Sequence, residues 1–236
     1  LETRAHREGE GWVLKGAKRL VPLGTLADVF LIWAQVDEAS LGVFMVEGGT
    51  EGLSISKPKV LGLRSAGLVD LSFDALRVSN GAYIPLSLAD GEGILATHRI
   101  ALASVAYGLG KRANECAAAY ALERKQFGQA IARFQAIQNR LADAEVGVEA
   151  GGALVEWAAS EHDAGRSAPD AAAKAYVLSA KAAFESADHA IQVHGGYGYV
   201  REYQVERMWR DARTLATLAG PAQQAKDTIA ATLFAD

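Results

Sequence analysis

The pattern of apolar and polar positions changes once along the chain, near residue 85. Before it, short apolar stretches alternate with turn signals at Gly9, Gly11, Gly24, Gly48, Gly49 and Gly52. Trp12-Val13-Leu14, Val29-Phe30-Leu31-Ile32-Trp33 and Val43-Phe44-Met45-Val46 are rich in the β-branched and aromatic residues that favour strands. Val69, Leu71 and Phe73 alternate with Asp70 and Ser72, as in a strand with one wet face. This half predicts a small antiparallel β-barrel or sandwich.

Beyond residue 85 the period becomes helical. Leu95, His98, Leu102, Val105 and Leu109 recur at spacings of three and four. So do Ile131, Phe134, Ile137, Leu141, Ala144 and Val148, then Ala173, Val177, Ala180, Phe184, Ala187 and Ile191. A fourth stripe runs through Val205, Met208, Ala212 and Leu215. His162 to Ala168 reads as a polar loop, and Ser167 before Pro169 reads as a helix N-cap. Four helices with short connections predict an antiparallel four-helix bundle. The expected class is α+β, with a β domain over 1–88 and a bundle over 89–236.

Composition narrows the function classes. The chain has 236 residues and a net charge of −4, so nucleic acid and anionic membranes are not expected partners. No apolar run approaches the roughly 20 residues of a membrane span. A single cysteine, Cys116, excludes an internal disulfide and suits a cytoplasmic setting. The histidines and the cysteine show no metal-ligand spacing, and no metal is expected. The first residue is Leu1 rather than Met, which leaves open whether the sequence is a fragment or lacks an N-terminal part.

Three clusters offer chemistry. In Leu122-Glu123-Arg124-Lys125-Gln126-Phe127-Gly128, the basic residues suit a helix end and Gly128 suits a left-handed C-cap. The same segment presents a guanidinium and an aromatic ring to a phosphorylated planar ligand. In Gln192-Val193-His194-Gly195-Gly196-Tyr197-Gly198, three glycines break a helix and let a phosphate or flat ring approach the backbone, or simply make a tight turn. In Glu206-Arg207-Met208-Trp209-Arg210-Asp211-Ala212, two oppositely charged pairs four residues apart support a helix, and read by themselves they are a solvated charged face.

In this order the motifs resemble the acyl-CoA dehydrogenase family. Arg124 to Gly128 is similar to its Arg-x-x-Phe-Gly, Gln135 to a glutamine on the next helix, Gln192 to Gly198 to Gln-x-x-Gly-Gly-x-Gly, and Arg210 to Ala212 to Arg-Asp-Ala. Gly11-Trp12-Val13-Leu14 with Gly16 and Lys18 is similar to the family's middle domain. The resemblance covers the chain, with no counterpart of the family's N-terminal helical domain. It implies FAD held between subunits, with Arg124, Phe127, Gln135, Gln192, Gly195 and Gly196 serving a neighbour's cofactor. It also implies an acyl-CoA substrate, with Arg99 binding it, and an electron-transferring flavoprotein as acceptor.

The catalytic glutamate of the resembled family is missing. Its position, eight residues after Asp211, holds Ala219, and the alternative position before Arg99 holds His98. Ala96 and Leu20-Val21-Pro22 replace further family residues at the CoA and flavin. The resemblance therefore points to a partner subunit that completes the flavin site of a catalytic homologue, as in the α2β2 assemblies of bacterial steroid side-chain oxidation. The alternatives are a self-sufficient dehydrogenase with a displaced base such as His98, and a flavin-free structural homologue.

Overall fold

The computed structural model describes residues 2–38, 40–166, 168–220 and 222–234. It divides into two compact units, Leu1–Glu92 and Gly93–Asp236.

The first unit is a seven-stranded sheet. Its strands are β1 (Arg4–Glu8), β2 (Gly11–Val21), β3 (Val29–Gln35), β4 (Ser40–Glu47), β5 (Leu53–Ser56), β6 (Val69–Ser79) and β7 (Tyr83–Ser87), in the order β5-β6-β2-β1-β3-β4-β7. The expected barrel does not close, because β5 and β7 remain as edges among the described residues. Nor is the sheet wholly antiparallel: Arg4 on β1 pairs with Gln35 on β3 in parallel. The turns after Glu8 and Gln35 build the antiparallel hairpins β1–β2 and β3–β4, and the parallel seam joins them.

One face buries Trp12, Leu14, Phe30, Ile32, Phe44, Leu71, Phe73 and Leu76. Trp12 meets Phe44 edge-on, at 5.6 Å between centroids and 68° between planes. Two bulges interrupt β2 against β6. At one, Ala75 takes a left-handed φ of 51°, which carries the buried positions of β6 from the odd residues, ending at Phe73, to the even ones, starting at Leu76. At the other, Leu20 has φ of 53°, and its N–H donates to Asp70. Arg19 also donates to Asp70, and these bonds hold the Asp70 carboxyl below the usual carboxylate range, with the Leu20 bond contributing most.

The second unit is helical: α1 (Leu88–Glu123), α2 (Gln135–Asp163), α3 (Pro169–His194), α4 (Val205–Leu215) and α5 (Ala222–Leu233). The four expected helices are present, α4 is short, and α5 is an addition. Ala168 precedes Pro169 at the start of α3, and the expected cap Ser167 lies outside the described residues.

Alanine sets the packing. On α1 the buried line is Ala96, Arg99, Ala103, Ala106, Gly110, Ala113, Ala117 and Ala121. It keeps the expected three-four rhythm but lies one residue C-terminal to the larger apolar side chains. Such small residues let helices approach closely. A Cβ on Gly110 would stand 3.0 Å from the Ala183 Cα, and Ser186 Oγ donates to the Gly110 carbonyl at 2.8 Å. Ser186 meets Gly110 and His194 meets Tyr120, so α1 and α3 run parallel, with α2 antiparallel between their ends. Tyr176 is the large side chain buried among the alanines of α3.

Candidate functional site

The end of α1 and the end of α3 meet at one surface cavity. Tyr120, Arg124, Gln126, Ile131, Val193, His194, Gly195, Gly196, Tyr197 and Val200 enclose about 530 Å³. Tyr120 stands one turn before Arg124, whose backbone N–H still donates to the Tyr120 carbonyl at 2.9 Å. The helix then ends, and Lys125–Gln126 (β8) pairs with Gln129–Ala130 (β9) in a two-residue hairpin. Gly128, with φ of 80°, is therefore a hairpin-turn residue and not the C-cap of α1.

Its turn companion is Phe127. The ring is 92% exposed, and the backbone is held at φ of 51°, a left-handed conformation that costs a non-glycine residue roughly 1–2 kcal/mol. An aromatic side chain held outward at a strained turn has little to contribute to its own unit's packing beyond an edge-on contact with Phe134, 6.2 Å away. It is available to something outside the unit. Gln135 begins α2 directly after Phe134 and is also exposed.

From the other side, α3 ends at His194. Gly195 has φ of 60° and ψ of −135°, a conformation open essentially to glycine alone. No atom stands within 4 Å of where a Cβ would sit on Gly195 or Gly196, so the backbone there is open to close approach. The Gly195 N–H donates to the carbonyl of Gln192, whose side chain is exposed. His194 is buried and ends α3, with Nδ1 2.8 Å from the Ala190 carbonyl. Burial holds its pKa below the ordinary imidazole value, and the Ala190 bond opposes that shift. The Arg124 guanidinium lies over the Tyr197 ring at 5.8 Å.

Thus Arg124, Gly195 and Gly196 share the cavity wall, while Phe127, Gln135 and Gln192 flank it. A guanidinium, aromatic rings and an exposed glycine backbone suit a ligand with phosphates and flat rings, and FAD has both. Tyr120 was not singled out in the sequence, and Ile131 was read only as part of a helical stripe. Tyr120 has a signal, lying four residues before Arg124 on one helical face.

Arg99 lies elsewhere. It is 25 residues before Arg124, which directly follows the last residue of α1, or about 37 Å along the helix axis. Arg99 is 2% exposed, and its Nη1 donates to Thr228 Oγ1 at 3.1 Å. The neighbouring His98 is exposed rather than in the core, and partial desolvation holds its pKa below 6.5. Ala219 follows Leu218, whose carbonyl accepts from the Tyr176 hydroxyl. Ala219 has φ of 55° and brings only a methyl group. In the third cluster, Arg210 grips Glu206 with Nε at 2.8 Å and Nη2 at 3.1 Å, both side chains being mostly buried. It is more than a solvated charged face.

Among the described residues no three His, Cys, Asp or Glu side chains gather as a metal site, and no helix is long and apolar enough to cross a membrane.

Comparison with known proteins identifies the family. Residues 91–234 match the acyl-CoA dehydrogenase C-terminal domain, and residues 1–76 match the middle domain. The short-chain-specific acyl-CoA dehydrogenase of Clostridium acetobutylicum is 33% identical over 245 residues, covering 99% of this chain and 64% of the relative. Benzylmalonyl-CoA dehydrogenase of Aromatoleum aromaticum is 35% identical over 236 residues, covering 98% of this chain and 63% of the relative. A glutaryl-CoA dehydrogenase from Mycobacterium smegmatis, solved in complex with FADH2, superposes with a TM-score of 0.90 at 26% identity, covering 100% of this chain and 62% of that one. The chain spans slightly under two thirds of the length of these curated relatives. With both domain matches in sequence order and the C-terminal match alone spanning more than half of the chain, the chain belongs to the acyl-CoA dehydrogenase family.

Proposed function

We propose that this protein is a subunit of an FAD-dependent acyl-CoA dehydrogenase and that it completes the flavin site of a homologous catalytic subunit. The family supports the oxidoreductase class and FAD as cofactor. One observation carries the finer reading. The residues suited to FAD, Arg124 with Gly195 and Gly196, sit at the opposite end of α1 from Arg99, about 37 Å away. That separation supports a cofactor whose reacting end lies on another subunit, and Ala219, which brings no base, supports that subunit being a catalytic homologue rather than a copy of this chain.

When bound, FAD supplies the hydride acceptor for α,β-dehydrogenation of the thioester. This chain's part is to hold that cofactor. Arg124 would hold its phosphates, Phe127 and Tyr197 would meet its flat portions, and the open backbone of Gly195–Gly196 would let it approach closely, with Gln135 and Gln192 at the margin. Removal of the α-proton needs a base, and Ala219 has none to offer. The electrons then leave to an electron-transferring flavoprotein, and the assembly works in the cytoplasm.

The test has two arms. Arg124→Ala is expected to lower the flavin content of the purified complex, since a charge-assisted contact contributes roughly 1.5–3 kcal/mol. The protein without a partner is expected to show negligible acyl-CoA dehydrogenation, with activity appearing on co-expression with a homologue that retains the glutamate. A second reading, in which His98 is the base, draws on its exposure and its depressed pKa. Ordinary turnover by the protein alone, abolished in His98→Ala, would establish that reading instead.

A further inference from the structure

Among the described residues Arg99 is a buried cation without a counter-ion. Nη1 is taken by Thr228, but Nε and Nη2 are buried and have no hydrogen-bond partner among the described residues. No carboxylate pairs with it there. The group that acts on it electrostatically is the Tyr176 hydroxyl. That hydroxyl is neutral at physiological pH, burial having pushed its pKa up to about 12, and it is bonded to the carbonyls of Leu215 and Leu218. A guanidinium desolvated in this way is among the costlier arrangements a fold can retain. A charge kept under those conditions calls for an acceptor.

The orphaned atoms identify its shape. Nε–H and Nη2–H project in parallel from one edge of the planar guanidinium, the fork that engages both oxygens of a carboxylate. A single carbonyl or hydroxyl satisfies half of it. The Tyr176 hydroxyl donates to the Leu218 carbonyl, and the next residue, Ala219, brings only a methyl group and no carboxylate.

We propose that the Nε–Nη2 edge of Arg99 receives a carboxylate borne on the acyl group of the thioester, so that this subunit selects acyl-CoA ligands ending in a second carboxyl group. The assignment rests on the acyl-CoA reading above. It does not require turnover by this chain, because binding and orientation need no base.

Thermal unfolding of the purified protein, with succinyl-CoA, butyryl-CoA or sodium succinate titrated at matched ionic strength, tests the proposal. Succinyl-CoA is expected to raise the midpoint with an apparent affinity roughly tenfold or more above that of butyryl-CoA, the effect of gaining a charge-assisted pair. Ala219→Glu, which supplies a built-in carboxylate from the adjoining loop, is expected to erase that preference while leaving the circular dichroism unchanged. Arg99→Lys, which keeps the charge and loses the fork, is expected to reduce it. Equal affinities for the two thioesters in the parent protein would overturn the proposal. Succinate acting as strongly as succinyl-CoA would overturn the thioester assignment. Flavin absorbance read on the complex co-purified with the catalytic homologue separates the two ideas: a colourless complex whose isolated subunit prefers succinyl-CoA defeats only the flavin reading, and a yellow complex without that preference defeats only this one.

Discussion

The Tyr120 ring lies against the His194 imidazole, with centroids 4.2 Å apart and planes inclined by 21°. This stack ties the end of α1 to the end of α3, and so places Arg124 and the Gly195–Gly196 backbone on one cavity. Tyr203 closes the group edge-on to Tyr120 at 5.8 Å.

The stack makes the site sensitive to acid. The Ala190 carbonyl requires a proton on His194 Nδ1, and burial disfavours a second proton on the ring. The folded-state pKa lies below the ordinary 6.5, so the unfolded chain binds the proton first as pH falls. The stability this group contributes is present above pH 6.5 and is lost as pH drops through the depressed value. His98 and His189 shift in the same direction, each mainly by desolvation. Urea midpoints are expected to fall between about pH 7.5 and 5.5, and the fall is expected to be shallower in His194→Phe. An unchanged slope in that variant would remove His194 from the effect.

Glycines within one motif do different work. Gly195 and Gly196 face open space, whereas a Cβ on Gly198 would lie 2.6 Å from the Ile191 carbonyl oxygen. Gly198→Ala is expected to cost about 1–3 kcal/mol by overpacking against backbone, and to lower flavin content through displacement of the 195–199 turn. Gly196→Ala is expected to unfold at nearly the parent midpoint, so any flavin it loses reports on ligand approach alone. Equal midpoints for all three proteins would show that Gly198 is not packed as described.

The strands around Trp12, Phe30, Phe44 and Leu71 are legible because β-branched and aromatic residues mark them. The parallel seam between Arg4 and Gln35 is not, because it depends on how two hairpins meet and no local pattern encodes that. Large side chains drew the helical stripe of α1 through Leu102 and Val105, yet alanines one position along are what the bundle buries. Hydrophobic size is a poor guide where close approach of backbones does the packing. Arg99 sits on that buried line, which no apolar pattern would suggest. α5 escaped notice for the opposite reason: Gln223, Gln224, Lys226 and Asp227 leave a weak apolar stripe, and of its residues Ala225 is the one fully buried. In the site, Arg124 and the glycines were readable as a motif. The hairpin that turns Phe127 outward was not, since Gly128 suits a helix cap equally well.

Tyr176 is fully buried in an alanine core, and its hydroxyl reaches the carbonyls of Leu215, the last residue of α4, and of Leu218 beyond it. Tyr176→Phe keeps the ring and leaves those carbonyls with one donor fewer, for an expected loss of about 1–2 kcal/mol. Burial raises the phenol from 10.0 to about 12, so the folded state holds its proton after the unfolded chain has released it. That contribution is complete below pH 10 and is lost as pH rises towards 12. Parent and variant stabilities, compared by chemical denaturation, are expected to converge over that window. A constant difference across it would mean that the hydroxyl is not the group responsible.

Lys18 on β2 presents the reverse case. Burial lowers its pKa from 10.5 to about 8, and Glu2 offsets part of that effect. At pH 7 the folded protein therefore carries a partly desolvated ammonium ion that the unfolded chain would rather hydrate. The penalty is fully present below pH 8. It fades as pH rises, because the folded state sheds its proton first, and it is gone above 10.5. Lys18→Met retains an unbranched apolar stem of similar reach and removes the charge. It is expected to raise stability at pH 7 by about 1–3 kcal/mol, the upper end being what a shift of this size allows. The gain should shrink steadily above pH 8. Denaturant titrations of the two proteins at several pH values between about 7 and 10.5 decide the matter. A Lys18→Met protein that is less stable at pH 7 would show that the ammonium has an acceptor worth more than its desolvation cost, and that Lys18 is held on β2 for that contact.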